Sequence, residues 1–145
     1  MTTAKPILLA WERALVRRAT RTARASYSPY SRFPVGAAVL TSARHTFTGT
    51  NIENASYGLT VCAERAAVFA AVAAGERRLR AVAVTGGRGH AVPPCGACLQ
   101  VLAEFSGTEL IVLLAPLDAP DRIQRRTLAD CLPHAFALAK EPGGL

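Results

Sequence analysis

The chain has 145 residues, half of them hydrophobic and 19% charged, with 17 basic against 10 acidic side chains and a formal net charge of +7. That length suffices for one core without disulfide staples, and that composition excludes a disordered chain. No apolar run, Leu110 to Pro116 included, approaches the roughly 20 residues of a membrane-spanning helix, and the N-terminus lacks the apolar segment and small-residue cleavage site of a secretory signal. Residues 1–145 therefore read as a single domain with no membrane association.

In chain order, Pro6 to Ser26 is expected to form the first helix. Proline suits a first turn, and Leu8, Trp11, Leu15, Ala19 and Thr22 recur at helical spacing. Trp11 is expected in the core. Arg13, Arg17, Arg18, Arg21 and Arg24 fall mostly on the other faces of this helix. They carry much of the net charge, and no aromatic residues are interleaved among them as a single-strand binding platform requires. The basic balance therefore reads as a solvated face, and no nucleic-acid partner is expected.

Tyr27 to Pro34 is dense in prolines, serines and aromatics and cannot continue the helix. Val35 to Thr41 and Thr46 to Asn51 read as a hairpin of two strands around a short polar turn. A polar loop, Asn51 to Gly58, leads to a second, alanine-rich helix from Cys62 to Ala74, ended by Gly75. Leu79 to Thr85 is a nearly continuous apolar strand, as expected when both faces are buried. Gly86 to His90 reads as a flexible loop that lacks the lysine and spacing of a phosphate cradle. A third helix is expected from Cys95 to Phe105, further strands at Glu109 to Ala115 and Gln124 to Thr127, and a last helical piece over Leu128 to Lys140, interrupted at Pro133. Five strands with this order of helices imply an α/β fold, a mixed sheet with helices on both faces.

Two stretches carry the chemistry. Val61-Cys62-Ala63-Glu64-Arg65 is answered by Pro94-Cys95-Gly96-Ala97-Cys98, so that three thiols and one carboxylate lie at two helix starts. Two residues of separation let one tight turn aim Cys95 and Cys98 at a single ion, and Cys62 supplies a third sulfur. Three protein ligands leave the fourth position of a tetrahedral zinc open, the mark of a catalytic rather than a structural site. Glu64 is then placed to carry protons, and a carboxyl group near thiolates has its pKa raised toward neutrality. Three thiolates leave a zinc site formally negative. Helix N-termini at Cys62 and Cys95 and the guanidinium of Arg65 offset that charge. Cys131 as a fourth ligand would close the site and leave Glu64 without a purpose, so it is expected to be a buried free thiol. His45, His90 and His134 lack metal-binding spacing and read as turn or surface residues. Four cysteines in such a chain fit metal ligation in a reducing compartment, the cytoplasm, better than a disulfide framework.

Cys-x-Glu followed by Pro-Cys-x-x-Cys resembles the zinc-dependent deaminases of nucleobases and nucleosides. The likeness narrows to the small cytidine deaminases through Phe33-Pro34-Val35-Gly36-Ala37-Ala38, Asn51-Ile52-Glu53-Asn54-Ala55, the two cysteine motifs, and Leu132-Pro133-His134-Ala135-Phe136. It extends from about Trp11 to Phe136. The resemblance implies a three-layer fold, one zinc ion per subunit, and hydrolytic deamination of cytidine or deoxycytidine to uridine or deoxyuridine with release of ammonia, a pyrimidine-salvage reaction. It implies that Asn51 and Glu53 hold ribose hydroxyls, that Phe33 packs against the nucleoside, that the backbone at Ala63 contacts the base, and that Arg65 donates to the thiolates. It also implies a homotetramer in which Tyr57 and Phe136 reach a neighbouring subunit's site, although either residue could instead be ordinary packing. Leu99, where many relatives carry arginine, and Ala137-Leu138, where glycine-proline often stands, depart from the pattern. The rival readings are a deaminase for another cytosine-bearing substrate, such as a nucleoside antibiotic of the blasticidin type or a base in nucleic acid, and a non-catalytic zinc-stabilised binding protein.

Overall fold

The computed structural model describes residues 7–140. Pro6, expected in the first helical turn, lies outside the described residues. Helix α1 spans Ala10–Thr22 and tightens into a 3-10 turn at Ala23–Ala25 before the proline-rich loop. Strands β1 (Val35–Thr41) and β2 (Thr46–Thr50) form the expected hairpin, turning through Arg44 at φ 70°. Then come α2 (Ala63–Ala73), β3 (Leu79–Gly86), α3 (Gly96–Glu104), β4 (Ile111–Ala115), β5 (Gln124–Thr127) and the single turn α4 (Leu128–Cys131). The sheet order is β2-β1-β3-β4-β5. Only β3 and β4 run parallel, with α3 as their crossover, and every other pairing is antiparallel. The expected mixed five-stranded sheet with helices on both faces is what the chain adopts. Among the described residues no helix is long and apolar enough to cross a membrane.

Side chains alternate across a strand, and here the alternation divides one sheet between two cores. Ala38, Ala81, Ala83, Leu113 and Ala115 face α1 and pack with Leu15, Val16 and Ala19. Their neighbours Ala37, Val39, Val82, Val84, Val112 and Leu114 face the other way, onto Ala63, Ala67, Val68 and Ala71 of α2 and Leu99 and Leu102 of α3. Small residues bring the layers close. A Cβ on Gly36 would lie 1.9 Å from the carbonyl oxygen of Ala19, and one on Gly49 2.4 Å from that of Ala63. Gly49 thus lets the first turn of α2, which carries the chemistry, rest directly on the edge of the sheet.

Several boundaries and burials differ from expectation. The buried stripe of α1 is Glu12, Leu15, Val16 and Ala19. Trp11 sits half-buried at its rim, with the Arg80 guanidinium 5.5 Å over its ring. Glu12 is buried because both its oxygens are satisfied: Leu9 N–H donates to Oε2 and Arg125 Nε donates to Oε1, each at 2.8 Å. The α2 C-terminus closes as a Schellman motif, with Gly75 at φ 90° and Glu76 N–H reaching the Ala71 carbonyl. Gly86 to His90, expected to be flexible, is anchored where the Asp118 carboxylate accepts from Gly89 N–H. The last helical piece is one turn only. Beyond Pro133 the chain runs without helix along α3, where it finds no apolar stripe to bury.

Candidate active site

Cys62 and Cys95 are the N-caps of α2 and α3, with extended backbone (φ −72°, ψ 155° and φ −70°, ψ 166°). Each carbonyl starts its helix, accepting from Ala66 N–H and Leu99 N–H. The expected helix starts were one residue early, and the difference matters. As N-caps, the two cysteines sit where unpaired amides and the helix dipole stabilise an anionic sulfur. Cys98, one turn into α3, is fully buried. The three sulfurs lie within 4.8 Å of one another, at 4.0 Å for Cys62 to Cys95 and 3.5 Å for Cys95 to Cys98. Two 2.3 Å zinc–sulfur bonds at a tetrahedral angle separate their sulfurs by about 3.8 Å, so the donor set and its spacing fit zinc. Cys131, also a free thiol, is half-buried rather than buried and stands outside this cluster.

The electrostatics of the cluster favour a bound cation. A hydrogen bond from the Cys98 thiol lowers the Cys62 pKa to about 5 against the cost of burial, with Arg65 and Cys95 assisting. The same contact pushes the Cys98 thiol up. Arg65 Nη2 lies 3.6 Å from the Cys62 sulfur and donates to the Thr60 carbonyl at 3.3 Å, while its Nε is buried with no hydrogen-bond partner among the described residues. A cation in this position answers a site that gathers negative charge.

Glu64, in the first turn of α2, is buried at 5% exposure and forms no ion pair among the described residues. Burial raises its pKa to about 7, and the Cys62 thiolate adds to the rise against its own amide. Residues two apart within a helix point to different faces. Cys62 and Glu64 nevertheless line one cavity, because Cys62 caps the helix from outside.

That cavity, of about 340 Å³, brings together Cys62, Ala63, Glu64 and Cys95 with Phe33, Asn51 and Tyr57. Ser31, Thr60, Val84 and Val92, which the sequence motifs do not contain, complete its wall together with Val35 and Pro93. Tyr57 meets Tyr30 edge-on, with ring centroids 6.5 Å apart. Glu53 is buried behind Ser31, not in the wall itself, where its carboxylate accepts from the amides of Tyr30 and Ser31 and from the Ser31 hydroxyl. Burial raises its pKa, but those three donors prevail and hold it below the usual carboxylate range. Phe136 lies outside this cavity. It is 70% exposed and fixed to α3 by two hydrogen bonds between its backbone and the Gln100 side chain. Leu99 is buried in the core beneath α2 and α3, an apolar packing role.

Residues 9–114 match the family profile described as the cytidine and deoxycytidylate deaminase zinc-binding region. A cytidine deaminase of Mycobacterium tuberculosis is 48% identical over 124 residues, which is 86% of this chain and 88% of that protein. One from Halalkalibacterium halodurans is 47% identical over 122 residues, covering 84% and 91%. The crystal structure of cytidine deaminase from Burkholderia pseudomallei superposes with a TM-score of 0.79 at 41% identity, over 89% of this chain and all of that one.

Proposed function

The chain belongs to the zinc-binding cytidine and deoxycytidylate deaminase family, and on that premise we propose that it hydrolyses the C4 amine of free cytidine or deoxycytidine, giving uridine or deoxyuridine and ammonia. One observation carries this reading: two thiols of the three-cysteine cluster and a buried glutamate line the same cavity as Phe33 and Asn51, with the third thiol, Cys98, buried directly behind them. Cys62, Cys95 and Cys98 hold one zinc ion per subunit, with Arg65 balancing their charge. When bound, zinc acts as a Lewis acid that brings the pKa of a coordinated water toward neutrality.

Glu64 carries the protons. Burial lifts its pKa well above the ordinary carboxylate range, to about 7, which suits a group that accepts a proton and then returns it to the ring and to the departing amine. Phe33, Val35, Val84 and Val92 offer the base an apolar slot, and the Ala63 backbone borders it. Cytidine plus water gives uridine plus ammonia, so no redox partner is needed.

The remaining hydrogen-bonding capacity of Asn51 and Glu53 supports a free sugar. Asn51 Nδ2 spends one N–H on the Phe33 carbonyl and keeps one. Glu53 accepts three hydrogen bonds, leaving about one of its roughly four acceptor sites. One sugar hydroxyl, accepting from Asn51 at the cavity wall and donating past Ser31 to the Glu53 carboxylate behind it, uses both. Loss of the other hydroxyl then costs little, so cytidine and deoxycytidine are both substrates. A polymer, with its hydroxyls esterified, is not.

Exposed Tyr57, Leu59, Phe69, Phe136 and Leu138 support assembly with further copies of the chain as a homotetramer. Four free thiols fit a reducing cytoplasm, and residues 1–145 act as one domain. The test is turnover of cytidine, deoxycytidine, a blasticidin-type compound and a cytosine-containing single-stranded oligonucleotide by the purified protein, followed by ultraviolet absorbance and ammonia release. Comparable rates on the two nucleosides and none on the oligonucleotide are expected. Activity confined to the oligonucleotide or the antibiotic would overturn the assignment.

A further inference from the structure

We propose that Ser31 is a positioning residue of the nucleoside pocket, coupling the buried Glu53 carboxylate to the backbone that carries Phe33. The Ser31 hydroxyl lies between the two, bonded to Glu53 Oε1 and, at 3.1 Å, to Phe33 N–H. Its orientation follows from chemistry. A carboxylate can only accept and an amide N–H can only donate, so the hydroxyl proton points to Glu53 and a lone pair faces Phe33.

The other side of Phe33 is held as firmly. Asn51 Nδ2 donates to the Phe33 carbonyl at 2.8 Å, and Asn51 Oδ1 accepts from Val35 N–H at 2.9 Å and from the Ser26 hydroxyl at 2.6 Å. The Phe33 residue is therefore gripped at both its N–H and its C=O. Such a grip is needed because the side chain has little packing of its own: it is 40% exposed, with its ring edge over the Gly86 backbone. The preceding residue, Arg32, sits at φ 55°. A non-glycine residue keeps a left-handed conformation only where its surroundings over-determine it. Glu53 also accepts from the Tyr30 and Ser31 amides of this turn, and the Ser31 hydroxyl, in a residue that lines the cavity, extends that hold to the Phe33 amide.

Ser31 touches neither the thiols nor Glu64, so its effect falls on binding and not on the chemical step. The inference uses the deaminase reading only for its assay, and product binding tests it separately. Ser31→Ala and Ser31→Thr are compared with the parent for cytidine kcat and KM, for the uridine Kd by calorimetry, for zinc content and for Tm. Loss of the hydroxyl is expected to raise KM and the uridine Kd about tenfold, with kcat within about twofold and zinc unchanged. Threonine, which keeps the hydroxyl, is expected to stay within about threefold of the parent. Unchanged KM and Kd in Ser31→Ala would overturn the proposal. So would a joint fall in kcat, affinity and Tm that threonine does not relieve, since that marks a structural residue only. If the parent bound uridine without turning over cytidine, the deaminase reading would fail, and a tenfold weaker Kd in Ser31→Ala would still sustain this inference. A parent that neither turned over cytidine nor bound uridine would sink both.

Discussion

Two glutamates, each in the first turn of a helix and each buried, lie on opposite faces of the same sheet. Glu12 of α1 is fully covered, and both its oxygens receive a donor, one of them the Arg125 guanidinium. Glu64 of α2 is covered almost as well but has no salt-bridge partner among the described residues, faces a cavity and has its pKa lifted to about 7. Burial is common to both, so burial does not make a carboxylate reactive. A satisfied carboxylate fastens a helix to a strand. One buried beside a cavity without such partners holds its proton more tightly than an ordinary carboxyl, close enough to neutrality to take it up and give it back.

The face that carries Glu64 is the one whose disruption costs most activity. Cys98→Ser exchanges a buried thiol of the proposed zinc cluster for a hydroxyl, a poor zinc donor. Zinc content is expected to fall with it, and turnover by at least about a thousandfold, read by metal analysis and cytidine assay on the same sample. The opposite face is tested by Gly36→Val. A Cβ there meets the Ala19 carbonyl at 1.9 Å, backbone that cannot step aside, so a loss of about 3 kcal/mol or more is expected from denaturant unfolding.

Glu12→Ala sharpens the contrast. It removes two charge-assisted hydrogen bonds, but Arg125 is 37% exposed and regains water. The expected cost is about 2–4 kcal/mol of stability, with kcat for cytidine unchanged in the folded fraction.

A smaller effect is expected at Glu53. Its pKa is depressed, so its hold on the Tyr30–Ser31 turn is present above the ordinary carboxylate pKa and is lost only as pH falls through the lowered value. The amide resonances of Tyr30 and Ser31 are expected to titrate together at that lowered pH. Titration at or above the ordinary carboxylate range would show that the turn does not depend on this carboxylate.

Much of this contrast was legible in the chain itself. The thiols, Glu64 and Arg65 are adjacent in short motifs whose spacing reflects local geometry, and the central strands follow from short, nearly continuous apolar runs such as Leu79 to Thr85. What escaped is non-local. Glu12 pairs with a residue 113 positions away, and Ser31 with one 22 away, so neither had a local signature. A cap and a first helical residue look alike in sequence, so the sequence does not distinguish helices that start at Cys62 and Cys95 from helices those residues cap, although only the cap lets sulfur and carboxylate converge. The segment after Cys131 promised more helix than forms, since helical propensity without an apolar face to bury does not hold a helix.

The most direct test of the account is Glu64→Gln, with zinc content, Tm and cytidine turnover measured on one preparation. The exchange keeps the shape of the side chain and removes its ability to carry a proton. Zinc and Tm equal to the parent's, with turnover lower by about a thousandfold or more, is the predicted result. A zinc-loaded Glu64→Gln protein that deaminates cytidine within about tenfold of the parent rate would contradict it, and the proton carrier would have to be sought elsewhere in the cavity.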